Sequence, residues 1–180
     1  MVMKPNIENY KFIRHIFIRS CDNMLHLLQK GKDFIKEKSL SEQEILDARL
    51  AEDMYNFKKQ VQIFSDNALG AIYRGASLEK PKMADDENYF DELVIRIEKT
   101  KELILNIDIE KLENIKNFEE LKIKLPWMPS GTYFDAETYF GHFVVQNTLF
   151  HLVTAYNILR HKGVQIGKQD FLGPIEMKTE

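Results

Sequence analysis

Apolar residues recur at three- and four-residue steps through most of the chain, the spacing that lines one face of an α-helix. Tyr10, Ile13, Phe17, Met24 and Leu28 mark a first helix. Phe57, Val61, Phe64, Ala68 and Ile72 mark a second, expected from about Asp53 to Arg74, with Glu52 and Asp53 near its positive end. Phe90, Leu93, Ile97, Thr100 and Ile104 mark a third from about Glu87 to Asn106, entered through a loop with Pro81 that closes on an Asp85-Asp86 N-cap. A fourth runs from a cap at Asp135 to about Lys162. There Arg160, His161 and Lys162 face the negative end of the helix dipole, and Gly163 supplies a left-handed terminator. Ser41-Glu42-Gln43-Glu44 fits a capping box and predicts a short extra helix between the first two.

One segment leaves the helical period. Leu121, Ile123 and Leu125 alternate with Lys122 and Lys124, and Pro129-Ser130-Gly131 turns the chain into Thr132-Tyr133-Phe134. That pattern predicts a small β-hairpin or extended flap before the last helix. Trp127 sits at its tip, where it caps the bundle or lines a ligand entrance. Val164, Ile166, Phe171 and Leu172 in the tail predict a chain that folds back over the helices and frays at its end. The expected fold class is all-α, a bundle of long helices in a single domain over residues 1–180, with a core at about 8–163 and a tail at 164–180.

Composition narrows the partners. With 44% apolar and 29% charged residues the chain can bury a core, and 25 basic against 28 acidic residues give a net charge of −3. No positive field would hold a phosphate backbone, so nucleic acid is not expected as a partner. The run from Tyr139 to Leu159 is the most apolar, but His142, Gln146, Asn147, His151, Thr154 and Asn157 interrupt it, so no membrane span is expected. The first residues lack the apolar core and cleavage site of a signal peptide, and Cys21 is the only cysteine; both lead to an expected cytoplasmic address. Cys21 lies beside the apolar stripe and reads as a packed, inert thiol, while His15 and His26 sit nearly opposite Phe17 and are expected to face water.

Glycine-rich phosphate loops, Cys-x-x-Cys pairs, nucleophile elbows, His-Glu-x-x-His helices and Glu-x-x-His pairs are all absent. What remains is a strip on the fourth helix, where Asn147, His151 and Thr154 fall at i, i+4 and i+7 in apolar surroundings. Buried polar groups need partners. Gln62 and Asp66 on the second helix are the candidates, with Asp66 as the acceptor for a His151 nitrogen. The ligand-binding set is therefore His151, Asn147, Asp66, Gln62 and Thr154, and His151 is the candidate catalytic residue; the other reading is a satisfied core histidine.

The block from Phe150 to Val164, followed by Ile166-Gly167-Lys168 and Asp170-Phe171-Leu172-Gly173, resembles the C-terminal signature of a bacterial domain-of-unknown-function family in the DinB/YfiT-like four-helix-bundle superfamily. Ala48-Arg49-Leu50 with Asp53-Met54, Gln60-Val61-Gln62-Ile63 with Asp66 and Ala68, and Arg96-Ile97 with Lys99-Thr100 resemble its earlier blocks in the same order. The resemblance implies an up-down four-helix bundle with an interhelical pocket. In many relatives such a pocket holds a divalent metal on three histidines, and some of those relatives are thiol-dependent transferases or isomerases. Here His151 falls at one ligand position and Asn147 at another, and the second helix has no histidine. His151, Asn147 and Asp66 are the metal candidates, for zinc or nickel. Three functions follow as expectations: a degenerate metal pocket that binds a small molecule or serves a non-catalytic role; a metal-dependent thiol transferase or hydrolase with His151 as ligand or base; and a homodimeric interaction module, suggested by Phe12, Ile16 and Ile18 widening the apolar face of the first helix.

Overall fold

A computed structural model describes residues 7–108 and 120–179; the expectation about a leader falls mostly outside them. Helix α1 (Ile7–Lys38) leads to the short α2 (Gln43–Leu46), then α3 (Phe57–Gly75) and α4 (Phe90–Leu105). A π-helical stretch, π1 (Glu137–Val144), runs directly into α5 (Val145–His161), and α6 (Lys168–Leu172) lies in the tail. The four long helices bury two apolar clusters. Met24, Leu28, Phe57, Phe64, Phe90, Leu93, Leu152 and Leu159 form one; Tyr10, Phe17, Ala68, Ile72, Ile104, Tyr139 and Phe140 form the other.

Those clusters fix the direction of each helix. The start of α1 meets the ends of α3 and α4 and the stretch leading into α5, whereas its later turns meet the starts of α3 and α4 and the end of α5. Tyr10 Oη donates to the Ile72 carbonyl at 2.8 Å, and Arg14 donates to the C-terminal carbonyls of α4 at Ile104 and Leu105. Phe57 stacks on Phe90, each the first residue of its helix. Helices α3 and α4 therefore point the same way, and the order is up, down, down, up. The expected up-down order holds for the first and last steps and fails between α3 and α4. Residues 76–89 must return along the length of the bundle, a crossover of the kind some four-helix bundles use. Lys80 pairs with Asp66 and Asp85 with Lys59, which lays this strap antiparallel to α3.

Local signals explain the shifted helix starts. Asn56 caps α3 by accepting from Lys59 N–H at 3.0 Å, so the helix begins at Phe57 and not at Asp53. Asp85 is drawn away to Lys59 and Arg96, and α4 starts at Phe90, with the Glu92 carboxylate accepting from Tyr89 N–H at 3.1 Å. At α2 the Glu44 carboxylate reaches back to Ser41 N–H as a capping box requires, but Ser41 Oγ accepts from Gln43, one residue short of the expected position. Asp135 accepts from Thr138 N–H at 2.7 Å at the start of π1, which leads into α5, and Gly163 terminates α5 at φ +99°.

The β-hairpin does not form: the described residues contain no strand. Ile123 and Phe134 make a single antiparallel bridge, exchanging hydrogen bonds of 2.8 and 2.9 Å. Between them Pro126 and Pro129 remove two donors, and the remaining bonds close locally, from Met128 to Leu125 and from Thr132 to Pro129. The alternation still orders the faces, with Ile123 buried and Lys122 and Lys124 exposed. Trp127 stays 64% exposed while its ring packs on Phe134 and Phe143 at the π1 end of the bundle. The tail does return: Arg19, Asn23 and His26 of α1 hold Leu172, Phe171 and Asp170. His26 remains substantially exposed, as expected, but its Nε2 lies 2.8 Å from the Asp170 carboxylate.

Candidate functional site

His151 lies in the seam between α3 and α5 and is only 7% exposed. Its Nδ1 is 2.6 Å from Gln60 Oε1. The Gln60 amide is oriented from its other end, where Nε2 donates to the Tyr55 carbonyl at 3.0 Å just before α3. Gln60 thus presents its oxygen, and the imidazole must carry its proton on Nδ1. That leaves Nε2 with a lone pair and no hydrogen bond to a described residue. Burial pushes the His151 pKa down from 6.5 to about 4, so the ring is neutral near pH 7.

Asp66 is not the partner of His151. Counting 100° per residue, Asp66 lies about 180° round α3 from Phe57, on the far side of the inner stripe, whereas Gln60 lies about 60° from Phe57 and about 40° from Phe64, at the edge of that stripe. The periodicity therefore excluded Asp66 and left Gln60 admissible. Gln62 also faces away, its Nε2 donating to Glu87 at 2.8 Å. Thr154 is buried beside His151 on α5, but its hydroxyl donates back to the Phe150 carbonyl at 2.7 Å. Asn147 is half-buried on α5. Of the five expected ligand residues, His151, Asn147 and Thr154 stay on one helix near one another, while Asp66 and Gln62 belong to a second site across α3.

That second site is charged. Arg96 of α4, its side chain 1% exposed, donates through Nη1 to Glu87 Oε1 and to the Ala84 carbonyl, both at 2.7 Å. Its Nη2 lies 3.1 Å from Asp85 and 3.4 Å from Asp66 without hydrogen-bond alignment, and Nε also has no partner. Burial acts to raise the Asp85 pKa, but the Lys59 hydrogen bond and the charges of Arg96 and Lys59 outweigh it and hold the carboxyl below its ordinary value. Beneath this layer Ser65 and Thr100 share a hydrogen bond of 2.8 Å, and Thr100 also donates to the Arg96 carbonyl.

A three-histidine metal site does not fit this arrangement. Among the described residues no group of three or more His, Cys, Asp or Glu side chains is placed to hold an ion. Asp66 is engaged by Lys80 and Arg96, and His151 faces a neutral amide on one side. Cys21 is buried, and its thiol is pushed up to about 12 by desolvation, so it offers no thiolate. No described helix is long and apolar enough to cross a membrane.

The comparisons bear on the fold and the family. A crystal structure of a DinB family member protein from Shewanella denitrificans superposes with a TM-score of 0.86 at 28% identity, covering 98% of this chain and 100% of that one. No curated protein matches the chain significantly. Residues 10–172 match the family described as domain of unknown function (DUF1993), and the chain belongs to that family, within the DinB-like superfamily.

Proposed function

We propose that this protein is a cytoplasmic DinB-like four-helix bundle with a degenerate metal pocket, which binds a small molecule at the His151 corner without catalysing a reaction. The observation that carries the reading is the hydrogen bond from His151 Nδ1–H to Gln60. It spends one imidazole nitrogen on holding α3 to α5 and leaves Nε2 as a neutral acceptor, with the half-buried Asn147 amide one turn before it. Such a corner suits a ligand that donates a hydrogen bond. It suits a base poorly: taking a proton from a thiol of ordinary pKa with an imidazole near 4 runs uphill by about 6 kcal/mol.

Metal analysis of protein purified without chelator or affinity metal tests the reading. Metal-free protein that loses stability on His151→Ala is the expected result; stoichiometric zinc or nickel that disappears in the same variant overturns it in favour of the metal-dependent transferase or hydrolase. A second reading, the homodimer, has Phe12 in its favour, 67% exposed on α1. Ile16 and Ile18 pack against the second apolar cluster, which narrows that surface to Phe12. Light scattering at micromolar concentration distinguishes a dimer from a monomer.

A further inference from the structure

The crossover strap at 76–89 is attached in an unusual manner. Between residues 79 and 88 it makes no backbone–backbone hydrogen bond among the described residues, and Met83 is the side chain it packs against an apolar cluster. Its remaining attachments are polar: Lys80 to Asp66 at 2.7 Å, Asp85 to Lys59 at 2.7 Å, Glu87 to both Arg96 and Gln62 at 2.7 and 2.8 Å, and the Ala84 carbonyl to Arg96 at 2.7 Å. Few apolar contacts and few backbone hydrogen bonds place a segment at the low end of local stability.

What lies under the strap is built to hold carboxylates. Lys59, Gln62 and Asp66 stand at i, i+3 and i+7 on one face of α3, opposite Arg96 of α4. The Nε and Nη2 atoms of Arg96 are buried without hydrogen-bond partners. Those two atoms form the side-on edge of the guanidinium, the edge that grips a carboxylate through two parallel bonds. Asp85 approaches it out of alignment, and Glu87 takes Nη1 instead. If the strap lifts, Asp85, Glu87 and Lys80 leave together, and two cations with one carboxylate remain on the helices.

We propose that Arg96, Lys59 and Gln62 form a binding site for a small dicarboxylate, occupied in the closed protein by Asp85 and Glu87 of the strap acting as stand-ins for the ligand. The strap itself displays the recognised chemistry, since it delivers two carboxylates two residues apart to these three donors. This inference is independent of the reading of His151, which faces the other side of α3.

Succinate serves as the probe, with full-length protein and limited tryptic cleavage read after Lys82 in the strap. Cleavage there should rise saturably with succinate and should not rise with sodium chloride at equal ionic strength. The double variant Asp85→Asn, Glu87→Gln removes the internal competitors and should bind succinate at least about tenfold more tightly than the unaltered chain by calorimetry. Lys59→Ala in that background should reverse the gain. Strap opening that follows ionic strength alone, or no succinate binding to a folded double variant, overturns the proposal and leaves the cluster as a structural latch. Should the double variant fail to fold, the cleavage experiment on the unaltered chain decides by itself.

Discussion

Helix α3 carries two buried polar sites on opposite sides, and they solve the problem of burying polarity in different ways. Toward α5, Gln60 and His151 are both neutral: an amide fixed by the Tyr55 carbonyl accepts a hydrogen bond from the imidazole N–H. Toward α4, Arg96 keeps its charge and gathers Asp66, Asp85 and Glu87 around it. A histidine can shed its charge when desolvated and an arginine cannot, so the first seam needs one acceptor while the second needs carboxylates brought in from a separate segment. The difference also explains the strap. Its acidic residues are the counter-ions without which Arg96 would not be buried.

The comparison breaks most sharply at Arg96. Replacing it with Met strands Glu87, and breaking a buried pair from one side costs about 3 to 5 kcal/mol. Urea denaturation at pH 7 measures the loss, and adding Glu87→Met should restore part of it; a loss no larger than that of a surface substitution would mean the charged seam is not desolvated. At the neutral site His151→Ala leaves the Gln60 oxygen without its donor, at about 1 to 3 kcal/mol in the same assay. Equal stability of variant and parent would remove the interhelical role of the pair.

Acid titration separates the sites by pH range, since both lose stability on acidification. The folded His151 pKa of about 4 lies below the unfolded 6.5, so in that window the unfolded chain binds the extra proton and stability falls as the pH drops from 6.5 to 4. Allowing for the ring's remaining access to solvent, the fall attributable to His151 is about 1 to 2 kcal/mol. His151→Gln should flatten this part of the stability profile, and an unchanged slope would contradict a neutral buried ring. The low Asp85 pKa adds a later loss, below its unfolded value, that His151→Gln should leave in place. The smallest effect belongs to the outer attachment: Lys80→Ala removes a partly exposed pair with Asp66 and should cost less than about 1 kcal/mol, a cost that disappears in high salt.

Much of the helical framework was legible from periodicity because burial of one face is a local constraint that repeats every turn. Stripes such as Phe57, Val61 and Phe64 located four helices, and the Asp135 cap and Gly163 terminator located the ends of the run made by π1 and α5, but not the change from π- to α-helix at Val145. The candidate site was only half legible. The period singled out His151, but Gln60 lies at the edge of the α3 stripe and was passed over for a carboxylate chosen on chemical grounds, and Asp66 sits on the wrong side of its helix.

What the sequence by itself determined is therefore whatever depends on neighbours within a turn or two: which residues are helical, which face is apolar, and that His151 would be enclosed. The tertiary structure decided everything that depends on direction. The same stripes pack in an up-down-up-down or an up-down-down-up order, since a stripe has no polarity along the bundle. The strap's ion pairs with α3 accompany one of those orders. They link residues 14 and 26 positions apart, a separation no local period encodes.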